Sequence, residues 1–200
     1  MNAASSLQGH VVGVLLAGGR SRRMGFDKAL LEYRELPLWQ CQTTLLREVT
    51  GTTPVVSART PPEWLPVGMG FVADGFDAGP LGGIASVLSR LPAGGLALVL
   101  AVDIPFMPAE YLRRLMERAR ADRSVIPKLN EAHEPLAAVY STAALESALE
   151  QIRAGRFSLR QWTNILVARG LAEELPVPPE LSPGFTNINT PDDWPPTESP

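Results

Sequence analysis

The chain has 200 residues and a formal net charge of −3, which excludes a broad basic face for nucleic acid. Hydrophobic residues make up 45%, enough for the buried core of one domain. No apolar run is long enough to span a membrane, and the single cysteine, Cys41, excludes an internal disulfide and a thiolate metal cluster. A cytoplasmic protein in a reducing compartment is expected.

In chain order, residues 1–9 read as a flexible arm without the positive n-region of a signal peptide. "HVVGVLLA" reads as a buried strand. "PLWQCQTTLLREV" reads as a helix with Leu38, Cys41, Leu45, Leu46 and Val49 on one face. "TPVVSA" and "GFVAD" read as short strands, and "GPLGGIASVLSRL" as a helix with a glycine-rich start. "GLALVLAVD" is a continuous apolar run, the pattern of a central strand covered on both faces. "PAEYLRRLMERARA" reads as an amphipathic helix from Pro108, "SVIP" and "LAAVYS" as strands, and "TAALESALEQIRA" and "FSLRQWTNILVARG" as helices. Residues 195–200 read as a disordered tail. This alternation predicts one three-layer α/β/α domain over residues 10–194, with a mostly parallel, Rossmann-like sheet.

Ligands of such sheets sit beyond the carboxyl ends of the strands. After the first strand, "LLAGGRSRRMGFDKALLEY" combines Gly18, Gly19 and Gly25 with Arg20, Arg22, Arg23 and Lys28. Glycines let main-chain N–H groups approach phosphate oxygens, and the basic side chains neutralise a polyphosphate. Neither the Walker spacing nor G-x-G-x-x-G is present. A solvated charged loop is the plainer alternative.

After "GLALVLAV" comes Asp103-Ile104-Pro105-Phe106. Asp103 reads either as a Mg²⁺ ligand shared with phosphates or as a cap for the helix near Pro108. After "GFVA" come Asp74 and "GPLGGI", where Gly79, Gly82 and Gly83 expose backbone at a helix start. That segment reads as an anion or base site, or as a tight turn. Near the end, "FTNINTPDDW" places Asn187 and Asn189 two apart, on one side if the segment is a strand. The pair reads as ligand-binding amides or as local turn bonding. Thr190 and Pro191 read as a helix start. His10 and His133 are poor candidates for a base. Trp39, Trp64, Trp162 and Trp194 read as packing residues, and Cys41 as core.

Together these motifs resemble the molybdenum cofactor guanylyltransferases, the MobA family of nucleotidyltransferases with a glycosyltransferase-A-like fold. The resemblance rests on "LAGGRSRRMGFDKALLEY", "GPLGGI", Asp103-Ile104-Pro105-Phe106, "EPLAAVYS" and "NINTP", in that order. It implies transfer of GMP from GTP to Mo-molybdopterin with Mg²⁺, giving the guanine dinucleotide cofactor and pyrophosphate. It further implies that Leu16, Ala17 and Gly18 line the guanine and ribose side. Gly19, Arg23 and Lys28 would hold phosphates, Asp74 would lie near the nucleotide, and Asp103 would ligate Mg²⁺. Gly79 and Gly83 would shape the pocket, and Arg156, Asn187 and Asn189 would face the pterin acceptor. Transient contact with cofactor-synthesis proteins or molybdoenzymes is the partner expectation; nucleic acid and membrane are not expected as partners.

The absence of a base fits this chemistry. A terminal phosphate monoester has a second pKa of about 6 and is already largely a dianion at neutral pH. Two rival readings are a nucleotidyltransferase with another substrate pair, such as a cytidylyltransferase, and a non-catalytic nucleotide- or cofactor-binding module.

Overall fold

The computed structural model describes residues 11–18, 27–188 and 193. The expected arm and tail, and the readings on His10, Arg20, Arg22, Thr190, Pro191 and Trp194, lie outside the described residues.

Four strands carry the half of the sheet from which the glycine-rich motifs emerge: β1 (Val11–Leu16), β4 (Val55–Ala58), β5 (Gly70–Ala73) and β6 (Leu96–Ala101). β2 (Glu32–Tyr33) and β3 (Leu36–Pro37) form a separate two-stranded ribbon. β7 (Ser124–Leu129), β8 (Ala132–His133), β9 (Ala137–Ser141) and β10 (Ala172–Pro176) complete an eight-stranded sheet among the described residues. The order is β10-β7-β9-β6-β1-β4-β5, with β8 hairpinned onto β7. β1, β4, β5 and β6 are mutually parallel, as is the β7–β10 pair, while β9 runs antiparallel between β6 and β7. The mostly parallel sheet expected from the sequence is therefore present, with β9 reversed.

Period-two alternation divides each central strand between two cores. Val12, Val14 and Leu16 of β1, with Ala97 and Val99 of β6, face α2 (Pro80–Leu88), α4 (Leu145–Arg153) and α5 (Leu159–Ala168). Leu15, Leu98 and Leu100 face the other way, toward α1 (Leu38–Thr50) and α3 (Ala109–Arg118). This two-sided burial is why "VVGVLL" and "LALVLA" read as unbroken apolar runs. Each fully buried Leu contributes about 1.5–3 kcal/mol of transfer free energy.

On α1, Leu38 and Leu46 are fully buried. Cys41, Leu45 and Val49 of the expected face are half-buried. Burial raises the Cys41 thiol pKa, and Sγ points at the Tyr33 carbonyl 3.5 Å away. Pro108, the expected first residue of α3, stands just outside the helix as its N-cap, so α3 starts one residue later, at Ala109. The β4–β5 connection contains no helix. Its Trp64, Leu65 and Met69 pack instead beside Trp39, Leu45 and Val49 of α1, and so fill that layer.

Strand register aligns the carboxyl ends that matter. Leu16 lies opposite both Ser57 and Ala101, and Ala58 opposite Ala73. The segments that follow β1, β4, β5 and β6 therefore emerge along one rim of the sheet. Because β9 runs the other way, its leading segment, Glu134-Pro135-Leu136, returns to the same rim, where Ala101 N–H donates to the Leu136 carbonyl at 2.8 Å.

Candidate active site at the strand ends

At the centre of this rim Lys28 Nζ lies 3.6 Å from Asp103 Oδ2, with side chains 14% and 24% exposed. The two arrive from neighbouring strands, Lys28 after β1 and Asp103 after β6. The main chain holds both. Val102 N–H donates to the Leu16 carbonyl at 3.2 Å, and Ile188 N–H to the Asp103 carbonyl at 2.8 Å. Buried Gln42 donates from Nε2 to the Ile104 carbonyl. The α3 N-cap is Pro108, with no side-chain capping bond. Asp103 therefore does not cap that helix, and its carboxylate remains at the rim.

Lys28 opens a short 3-10 turn, Lys28–Leu30, capped by Asp27. Asp27 Oδ1 accepts from Ala29 N–H at 3.0 Å, and Oδ2 from the Trp64 indole Nε1–H at 2.8 Å. Sequence reasoning placed Trp64 with the packing residues. It does stack on Trp39, with centroids 5.2 Å apart, but its polar edge also reaches the site. Gln42 was likewise missed; the signal was an amide at a helix position otherwise fit for the core.

The nucleotide-side residues divide by what they expose. Leu16 is 6% exposed with its side chain in the core, so only its backbone reaches the rim. Ala17 N–H donates to the Ser57 carbonyl at 3.0 Å. Gly18 is exposed, and a Cβ there would meet Ala58 Cα at 3.3 Å. Gly19 and Arg23 lie outside the described residues.

Asp74 follows β5 and folds back on itself, with Oδ1 accepting from Phe76 N–H at 3.0 Å. It also faces the first turn of α2, where a Cβ on Gly82 would sit 2.5 Å from Asp74 Oδ1. Gly79, at φ +60° and ψ −147°, makes the turn into Pro80 and is exposed. Gly83 is buried, and a Cβ there would meet Ser57 Oγ at 3.0 Å and Leu16 Cδ2 at 3.4 Å. Gly83 thus brings α2 close onto the sheet, while Gly79 and Gly82 shape its approach to Asp74. Gly82→Ala is expected to displace Asp74 at a cost of about 1–3 kcal/mol, read as a lower Tm together with a raised KM for nucleotide.

On the other side, Asn187 is exposed and sits one residue before the Ile188–Asp103 bond. Residues 186–188 are not a strand, and Asn189 lies outside the described residues. The expected shared strand face is therefore replaced by a segment tied directly to Asp103. Arg156 is exposed in the α4–α5 turn, where its Nε donates to Gln151 Oε1 at 2.8 Å.

His133 is buried. Nδ1 is bonded to Thr163 Oγ1 at 2.9 Å and Nε2 to Glu174 Oε1 at 2.7 Å, so both ring nitrogens serve the structure. The His133 bond, followed by Lys128, lowers the Glu174 pKa. Burial raises that of Glu134 against the opposing pull of Arg160.

Among the described residues no group of three or more His, Cys, Asp or Glu side chains could hold a metal ion, and no helix is long and apolar enough to cross a membrane. Among the described residues the rim brings the Asp103 carboxylate and the Lys28 ammonium together beside exposed backbone, a combination chemically suited to phosphate.

Comparison with known proteins agrees with this geometry. The chain is 36% identical over 187 residues to an Opitutus terrae protein named "Probable molybdenum cofactor guanylyltransferase", covering 92% of each chain. It is 34% identical over 197 residues to a molybdenum cofactor guanylyltransferase of Xanthomonas euvesicatoria, covering 94% of this chain and 95% of that one. Among solved structures, molybdopterin-guanine dinucleotide biosynthesis protein A from Archaeoglobus fulgidus superposes with a TM-score of 0.66 at 25% identity, covering 90% of this chain and 93% of that one. The family model described as the MobA-like NTP transferase domain matches residues 13–169, which run from within β1 to just past α5 and include both residues of the Lys28–Asp103 pair, and the chain belongs to that nucleotidyltransferase family.

Proposed function

We propose that this chain, as one domain over residues 10–194 acting in the cytoplasm, transfers GMP from GTP to Mo-molybdopterin. The products are the molybdopterin guanine dinucleotide cofactor and pyrophosphate. The observation that carries this reading is the juxtaposition of Lys28 and Asp103 at the ends of two adjacent parallel strands.

The acceptor's terminal phosphate oxygen attacks the α-phosphorus of GTP. A P–O bond forms there, the bond to the β-phosphate bridge breaks, and pyrophosphate leaves. The nucleophile is already a dianion, so no side chain need remove a proton. The obstacle is bringing one anion onto another, and positioning with electrostatic stabilisation carries such transfers. Lys28 supplies positive charge at the reacting phosphates, with Arg23 and the Gly18–Gly19 backbone on the triphosphate. Leu16, through its backbone, and Ala17 face the nucleoside, and Asp74, Gly79 and Gly83 set the pocket beside it. Arg156, Asn187 and Asn189 take the acceptor, an arrangement supported by the bond between Ile188 and Asp103.

The donor set fits Mg²⁺. A partly exposed carboxylate such as that of Asp103 suits an ion that keeps several waters and completes its shell with substrate phosphates. Asp103 would hold it, and it would supply charge neutralisation at the phosphates.

Pyrophosphate release should be measured with Mg²⁺, Mo-molybdopterin and GTP, CTP, ATP or UTP in parallel. Release with GTP alone is the expected result. Release with CTP alone overturns the named product and keeps the mechanism. Silence with all four overturns the proposed acceptor.

A further inference from the structure

We propose that Trp64 is a positioning residue for Lys28, acting through Asp27. The inference rests on the nucleotidyl transfer proposed above and assigns it a component from a loop remote in sequence.

The 3-10 turn that carries Lys28 has only three residues. So short a turn does not hold itself in water, and the lysine needs external support to meet Asp103. The support is a closed circuit of contacts. Trp64 Nε1–H donates to Asp27 Oδ2 at 2.8 Å, and Asp27 Oδ1 accepts from Ala29 N–H at 3.0 Å. The Asp27 carbonyl accepts from Leu30 N–H and the Lys28 carbonyl from Leu31 N–H, each at 3.0 Å. The Leu31 carbonyl accepts from Leu38 N–H at 2.8 Å, which ties the turn to the first residue of α1. The next residue is Trp39, whose ring stacks on Trp64 at 5.2 Å with 12° between planes. The circuit thus returns to its start, and Lys28 projects from it toward Asp103.

Packing alone does not account for this arrangement. A stack on Trp39 requires only a flat apolar ring. The indole N–H is a donor with no acceptor capacity, and it is aimed at the carboxylate of the residue preceding Lys28. A hydrogen bond to a charged acceptor contributes more than a neutral one, and here it fixes the rotation of the group that caps the turn. Displacing a catalytic group by about 1 Å costs on the order of 10²-fold in rate, so loosening this anchor should appear in turnover rather than in binding.

Trp64→Phe keeps a ring against Trp39 and deletes the donor. The expected result is a roughly tenfold lower kcat for pyrophosphate release, with KM for GTP changed by less than about threefold. In the substrate-free protein, amide hydrogen exchange at Ala29, Leu30 and Leu31 should accelerate about tenfold while Tm stays close to wild type. Asp27→Asn is the second variant. Its side-chain oxygen can still cap Ala29, but its NH₂ then faces the indole N–H, donor to donor. It should reproduce both changes, and the double variant should be no worse than Asp27→Asn alone.

Wild-type kcat in Trp64→Phe overturns the proposal. So does a lowered Tm at unchanged kcat, or multiplication of the two single effects in the double variant. If Trp64→Phe does not fold, Asp27→Asn decides, and unchanged exchange at Ala29–Leu31 overturns the proposal. If wild-type protein releases no pyrophosphate with any nucleotide, the proposed activity fails, while the exchange measurement still decides whether Trp64 orders the turn.

Discussion

Asp103→Asn is expected to lower kcat for pyrophosphate release by about 10²–10³-fold, the loss typical of removing one preorganised electrostatic group. The fold should survive. Asp103 is held through its carbonyl, which accepts from Ile188 N–H, and through the strand that precedes it, and asparagine retains both. The side chain is also partly exposed, so the neutral amide is not an orphaned polar group in a dry core. What is lost is the carboxylate charge that lies 3.6 Å from Lys28 Nζ at the reacting end of the sheet. A metal series separates the two roles the carboxylate could have. If it holds the cation, the variant needs much more Mg²⁺ for half-maximal rate, and saturating Mg²⁺ recovers part of the loss. An unchanged Mg²⁺ requirement with a lowered kcat would show instead that the carboxylate acts only by holding Lys28 in place.

The rim itself was legible because the two central strands announce themselves. Apolar runs buried on both faces have few alternatives, and the parallel-sheet rule then directs attention to Gly18, Asp74 and Asp103 without reference to any homologue. The two alternatives left open at Asp103 could not be separated from sequence, because they depend on whether Pro108 or the carboxylate caps α3. With Pro108 as the N-cap, the structure removes the capping alternative.

Other elements were hidden for specific reasons. The β2–β3 ribbon turns at Arg34 and Glu35, with φ of 51° and 64°. Such hairpin turns normally advertise themselves through Asn, Asp or Gly, and "RE" carries no such signal. β10, "AEELP", has two glutamates and a proline and lies at the sheet edge. Its pairing comes from β7 and from ion pairs of Glu173 with Arg118 and Glu174 with Lys128, all distant in sequence. The reversal of β9 is also a long-range outcome, since "LAAVYS" has the same pattern in either direction. Trp64 illustrates the limit most clearly. Its packing role followed from composition, but the direction of its N–H depends on a helix-free crossover laid over α1, which no local pattern encodes.

Lys28→Met is expected to cost a similar factor, about 10²–10³ in kcat/KM, and the comparison with Asp103→Asn tests whether the two side chains work as one unit. The Nζ–Oδ2 separation of 3.6 Å exceeds the roughly 2.7–2.9 Å of a charge-assisted hydrogen bond. The two charges therefore attract across a gap rather than locking together, a spacing that suits groups meant to share a phosphate. Methionine matches the aliphatic stem of lysine and deletes only the ammonium, so little packing is lost. If both groups serve the same transition-state charge, the double variant will be far less impaired than the product of the two single losses. Full multiplication would mean that they act on different steps. Lys28→Arg is the discriminating control. Arginine keeps the charge but replaces a compact rotatable ammonium with a longer planar fork, which cannot occupy the same position beside Asp103. Recovery of KM for GTP without recovery of kcat in Lys28→Arg would place the requirement at the reacting phosphate; recovery of both would reduce the role of Lys28 to general attraction of a polyanion.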